Sequence, residues 1–186
     1  DSRDWKISLA KEDLKNNSII SDNIAYRPFD NRSILYTGQT KGIVGYPRYN
    51  IMQHLLHDNL AINTIRINRD YLFAIYVTNS ITDKTLLSSK DDVNVFPLYL
   101  YPNEEGDPST SLHFAQDDKL QRKANLDEKI WSKIDKNVKL KTTPEQVFDY
   151  IYGVLHIPSY RENYKEFLKI DFPRIPFPEN NDEFKR

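Results

Sequence analysis

Apolar residues recur along this chain with two different periods, and the switch between them divides it. The runs Ser33-Ile-Leu-Tyr36, Leu60-Ala-Ile-Asn-Thr-Ile-Arg-Ile67, Leu72-Phe-Ala-Ile-Tyr-Val-Thr78 and Val93-Asn-Val-Phe-Pro-Leu-Tyr-Leu-Tyr101 are rich in β-branched and aromatic side chains and predict the strands of a mixed sheet. Pro97 has no N–H to donate, so the last run is expected at an edge, bulged or broken there. Beyond residue 124 the spacing becomes helical. Asn125, with Glu128 three residues on, opens a predicted helix carrying Leu126, Ile130, Trp131 and Ile134. Thr143, Pro144 and Gln146 form the start of another, with a capping-box spacing and proline where a missing N–H is harmless. Val147, Ile151, Val154 and Leu155 fall on its inner side, broadened by Phe148 and Tyr152. Pro158 forces His156 and Ile157 out of the helix; Ser159 and Glu162 then repeat the capping spacing, and Tyr160, Tyr164, Phe167 and Leu168 make a second stripe.

The remaining segments complete an α+β reading, a twisted mixed β-sheet with packed helices. A short helix is predicted around Leu9 to Leu14, inside a linker-like lead-in over residues 1–24. A helix from Tyr49 to His57, with Ile51, Met52, Leu55 and Leu56 inward, interrupts the strands. The domain proper is expected over 25–178, sheet-rich at 25–102 and helix-rich at 118–170, with a Gly/Pro/Ser loop at 103–111 between the two parts. Residues 179–186 are expected to be a polar tail, and the start at Asp1 without Met reads as a piece of a longer chain.

Composition narrows the class. With 39% apolar and 28% charged residues, and no apolar run near the roughly 20 residues that span a bilayer, the chain reads as a soluble domain without a membrane segment. Cysteine is absent, which excludes disulfides and thiolate metal sites and suits a cytoplasmic location. The net charge of −1 excludes a uniformly basic surface, yet it is unevenly spread. Residues 27–69 hold six basic against two acidic side chains, and residues 91–128 hold nine acidic against three basic. Such polarity lets one face meet polyanions while another stays solvated; ordinary surface patterning is the plainer reading.

Within the basic stretch Arg27, Arg32, Arg48, Arg66 and Arg69 recur among aromatics and glycines, and a guanidinium fork can grip a phosphate or both acceptors of a guanine edge. Asp30 offers Arg27 and Arg32 a structural ion pair instead. Gly38-Gln-Thr-Lys-Gly-Ile-Val-Gly45 fails as a phosphate-binding loop because Lys41 precedes its glycine. A flexible loop that tracks a DNA backbone through Lys41 fits better, as does a plain turn. His54 and His57 lack a third metal ligand nearby and read as structural. Tyr160, Arg161 and Lys165 lie near a helix start whose amides favour phosphate, although packing and solvation account for them equally. No nucleophile elbow, nuclease set or flipped-base motif is found, so the segment is expected to be non-catalytic.

Several motifs carry a family resemblance. Tyr26-Arg-Pro-Phe-Asp30 with Arg32, Tyr46-Pro-Arg48 with Met52-Gln-His-Leu-Leu56, Phe96-Pro-Leu-Tyr-Leu-Tyr-Pro102 and the run from Thr143 to Pro178 together resemble the C-terminal specificity domain of Type ISP restriction-modification enzymes. A helix followed by an Ile-Pro-Phe-Pro strand is also similar to the target-recognition domains of Type I specificity subunits. The resemblance implies a parent that joins a nuclease and translocase to an adenine methyltransferase. It implies double-stranded DNA and the methyltransferase domain of the same chain as partners, with S-adenosylmethionine used by the parent and no cofactor in this segment. Arg27, Arg32, Lys41, Arg48, Arg66, Arg69 and Arg161 are then the candidate DNA contacts. The alternative is a coupling domain that packs on the methyltransferase without touching bases, suggested by 12 Tyr and 9 Phe. An independent hydrolase is disfavoured by the empty catalytic inventory.

Overall fold

The computed structural model describes residues 5–67, 69, 73–102 and 122–185, so the predicted loop at 103–111 and much of the acidic tract lie outside the described residues. The chain begins with helix α1 (Ile7–Asn16), strands β1 (Ile20–Arg27) and β2 (Asp30–Tyr36), and helix α2 (Tyr49–Met52), which tightens into a 3-10 turn over Gln53–Leu55. Strands β3 (Ala61–Thr64), β4 (Ile75–Thr78), β5 (Ile81–Thr82), β6 (Asn94–Pro97), β7 (Tyr99–Leu100) and β8 (Lys123–Ala124) follow. Helices α3 (Glu128–Val138), α4 (Pro144–His156), α5 (Pro158–Asn163) and α6 (Asn181–Phe184) close the chain. Strand β1 starts at Ile20, inside the stretch predicted as a connector: its apolar positions Ile20 and Ile24 gain their partners only when paired to β2.

Among the described residues the strands divide into three sheets. The first, in order β2-β1-β5, is mixed: β1 runs antiparallel to β2, from Ile20 opposite Tyr36 to Arg27 opposite Asp30, and parallel to β5. The second, β4-β3-β6, is antiparallel and central, and the third is the β7-β8 pair. Pro97 ends β6 at a sheet edge, and the chain breaks at Leu98 before β7, as its missing N–H requires.

Alternation of side chains along the central sheet assigns its faces. Ile62, Ile75 and Val77 join the large core formed by Ile134, Val138, Val147, Phe148, Val154 and Leu155 of α3 and α4. On the other face Ala61 and Val95 pack with Tyr36, Met52, Leu55 and Ile81. Every residue of β3 is buried, which fits a strand covered on both sides.

Helix starts are local and mostly as predicted. The Thr143 hydroxyl accepts from the Gln146 amide while the Gln146 side chain accepts from the Thr143 N–H, a complete capping box. Helix α3, however, is capped by Asp127 rather than Asn125, whose side chain instead donates to the Pro97 carbonyl at 2.9 Å. Ser159 makes no cap either, because Pro158 occupies the first turn and Ile157 the cap position. The proline-spaced residues 170–178 form no strand: Pro173, Pro176 and Pro178 cannot donate to a ladder, and the Tyr160, Tyr150 and Asn137 side chains take the carbonyls of Arg174, Pro176 and Pro178 instead. The polar end carries α6, capped by Asn180, whose Phe184 is buried and stacked on Tyr150. No helix among the described residues is long and apolar enough to cross a membrane.

Candidate nucleic-acid interface

Three of the predicted arginines meet at the connection between β5 and β6. Arg27 reaches the Asp83 carboxylate at 3.1 Å. Arg48 donates to the carbonyls of Val93, at 2.9 Å, and Thr82, at 3.3 Å. Arg69 contacts the buried Asp91 at 3.0 Å through its side chain and at 3.1 Å through its backbone N–H. Thr64 stands opposite Asn94 in the β3–β6 register, so Arg66 leaves β3 at the same end of the sheet. Arg66 there binds Asp171 at 3.1 Å and lies 5.6 Å from the Phe172 ring. Arg32 joins through an aromatic: it and Arg27 both lie over the Tyr26 ring, at 3.7 and 4.1 Å.

The gathered charges are compensated. Asp30, Asp83, Asp171 and Asp91 face Arg32, Arg27, Arg66 and Arg69 respectively. The basic stretch of the sequence is met in the fold by these carboxylates as a set of ion pairs. Solvent screens the exposed pairs, so their main effect is to fix where each guanidinium points; of the four carboxylates only Asp91 is buried. The hydrogen bonds from Arg32 lower the Asp30 pKa, and Asp30 raises that of Arg32. The Phe172 amide, then Arg66, hold Asp171 low, with Arg174 adding attraction from nearby. Arg48 differs: it is half-buried in a left-handed conformation, burial lowers its pKa, and its fork is spent on two backbone carbonyls. It therefore builds the site rather than standing free to read a base.

Two candidates lie elsewhere. Arg161 donates to the Leu155 carbonyl at 2.6 Å and lies 5.5 Å from the Phe73 ring, on the helical side. Lys41 is exposed at φ 61° on the glycine loop. Of the two readings of that loop, a flexible segment or a plain turn, its contacts suit the turn. The buried Asp13 carboxylate accepts from the Ile43 amide and the Thr37 hydroxyl, both at 2.7 Å, and the Trp5 indole donates to the Gly42 carbonyl at 2.9 Å. His54 accepts from the Tyr101 amide at 3.2 Å and His57 stacks on the Tyr101 ring, so both histidines have structural work.

Beside the arginines runs an open groove of about 540 Å³, lined by Arg48, Asn50, Asn94, Phe96 and Phe172 among others. Phe96 and Phe172 meet edge to face at 5.5 Å. A larger cavity of about 940 Å³ lies on the helical side between α4 and α6 and touches none of the predicted site residues.

The sequence matches the family described as the Type ISP C-terminal specificity domain over residues 1–186. The chain belongs to that family. Two solved structures are similar to this specificity domain. One is a cryo-EM structure of a DrdV–DNA complex, at 24% identity and TM-score 0.64, over 87% of this chain and 14% of that one. The other is a nuclease-deletion mutant of the Type ISP restriction-modification enzyme LlaGI in complex with a DNA substrate mimic, at 21% identity and TM-score 0.60, over 89% of this chain and 12% of that one. The likeness shows a shared fold, and the domain spans only a small part of either protein. No curated protein matches. Sequence reasoning missed Asn50, Asn94, Phe172 and Arg174 of the specificity domain. The alternation of Asn94 with Phe96 in a strand was the available signal; the approach of residues 171–174 to β6 had none.

Proposed function

We propose that this specificity domain recognises a duplex DNA sequence within a restriction-modification enzyme and orients an adenine methyltransferase over its target. The observation that carries the reading is the convergence of Arg27, Arg48 and Arg69 on residues 82–93, with Arg66 alongside. Membership of the specificity family supports it, as do structural neighbours described as DNA complexes. Guanidinium groups held at fixed angles can exchange a carboxylate for a phosphate without searching for a new geometry, and phosphate contacts set register while base contacts specify. In this reading S-adenosylmethionine belongs to the methyltransferase domain, the specificity domain contributes positioning alone, and the DNA substrate places the enzyme in the cytoplasm.

Arg66→Ala in the full-length enzyme tests the reading by fluorescence anisotropy over a salt series. Loss of one phosphate contact weakens binding to every sequence and lowers the log–log salt slope by about 1. If neither Arg66→Ala nor Arg69→Ala alters affinity or slope, these residues are not at the interface. Phe29 favours the alternative of a coupling surface: it is 92% exposed at the β1–β2 turn, where a partner domain could cover it. Under that alternative Phe29→Ala weakens methyltransferase activity while leaving the affinity for DNA intact.

A further inference from the structure

Several asparagines of this fold are spent on the structure. Asn59 donates to the carbonyls of His54 and Tyr99, Asn125 to Pro97 and Asn137 to Pro178. Asn50 and Asn94 are set apart by position: both line the open groove beside Arg48, with side-chain amides that no hydrogen bond among the described residues engages. Asn50 opens outward from the first turn of α2, and Asn94 is the first residue of the edge strand β6. Asn94 and Phe96 are two residues apart on one strand and so share a face. Phe96 is 44% exposed and lies edge to face with Phe172.

We infer that this groove reads an A·T base pair from the major-groove side, with Asn94 and Asn50 supplying the amide that recognises adenine and Phe96 and Phe172 receiving the thymine methyl. The inference rests on the DNA-recognition reading above and names the residues that would give it specificity. A carboxamide presents a donor and an acceptor side by side, which matches the N7 acceptor and N6 donor of adenine; thymine offers a methyl group on the same groove edge, suited to a phenyl surface. An A·T pair therefore displays both features that the groove complements. Arg66, over Phe172 and tied to Asp171, stands next to the groove where a phosphate of the same duplex would run. Asn50 is exposed and Asn94 half-buried on the groove wall, so both amides are reached without opening the fold.

The test uses the full-length enzyme and its recognised duplex, first mapped by sequencing the methylated sites. Each adenine of the site is replaced in turn by 7-deazaadenine, which lacks the N7 acceptor, and each thymine by uracil, which lacks the methyl. In the wild type one adenine position is expected to lose about tenfold in affinity, and the paired thymine position about fourfold. In Asn94→Ala or Asn50→Ala the penalty at that adenine disappears, since the contact is already gone, while penalties elsewhere persist. In Phe96→Ala the uracil penalty disappears instead. Thermal unfolding of each variant confirms that the fold is intact, as the exposed position of Asn50 leads one to expect. Deazaadenine penalties unchanged in both asparagine variants would overturn the inference, as would uniform weakening on all sequences with an altered salt slope. A wild-type enzyme that shows no sequence preference in binding would instead overturn the recognition reading beneath it.

Discussion

Phe29 sits where the backbone prefers glycine. Pro28 and Phe29 make the turn between β1 and β2, and Phe29 holds φ 64°, the left-handed value that the third residue of a type II turn requires. A bulky side chain there costs about 1–2 kcal/mol. The conformation is held by Tyr76, whose hydroxyl accepts from the Phe29 amide at 3.1 Å and whose ring meets Phe29 edge to face at 5.5 Å. Replacing Phe29 by alanine or by glycine removes the ring contact equally, but only glycine relieves the strain. Phe29→Gly is therefore expected to be more stable than Phe29→Ala by roughly 1 kcal/mol, the reverse of the usual order. Urea titration of the two variants measures this, and equal midpoints would mean that the turn relaxes in alanine without cost.

At the scale of elements, α1 and the glycine loop behave as one unit. A Cβ on Gly42 would lie 1.9 Å from the Asp13 carboxylate oxygen that accepts from Thr37 and Ile43. Gly42→Ala must then push Asp13 from its partners, leaving buried polar groups unpaired at about 1–3 kcal/mol. Faster trypsin cleavage after Lys41 and a lower unfolding midpoint are the expected result; cleavage at the wild-type rate would show the loop adapts. This unit also marks what the sequence made legible. The capping box of α4 and the break at Pro97 depend on residues within a few positions, so they could be read directly. Nothing in the sequence near Asp13 marks it as buried, because its partners lie 24 and 30 positions away. The same distance hid the chemistry of the site. The arginines were visible as a cluster and the Asp30–Arg32 pair was legible two positions apart, but the carboxylates of Arg27 and Arg66 stand 56 and 105 positions away, so their compensation became visible only in the fold.

For the whole molecule, buried titratable groups set a pH window of stability. Burial pushes the Tyr99 and Tyr150 hydroxyls up to about 12, and raises those of Tyr36 and Tyr160 as well. These phenols bind their protons more tightly folded than unfolded, so their contribution is complete below the ordinary tyrosine value of about 10 and fades as pH rises through about 12. On the acid side burial lowers both His54 and His57, while the hydrogen bond from Tyr99 lowers Glu145. Those groups favour folding above their unfolded values, about 6.5 for histidine and 4.3 for glutamate, and that support is lost as pH falls through the depressed folded values. Stability is thus expected to be flat from about pH 7 to 10 and to fall on both sides, more cooperatively on the alkaline one. There, Tyr36 closes the core beneath β1 and β2 while Tyr99, Tyr150 and Tyr160 close the core around α4. Ionising either set opens a different face of the central sheet. Tyrosinate absorbance followed beside far-ultraviolet circular dichroism should therefore show the buried phenols titrating together with loss of structure. Their titration near pH 10 in a protein that stays folded would mean that water already reaches these rings.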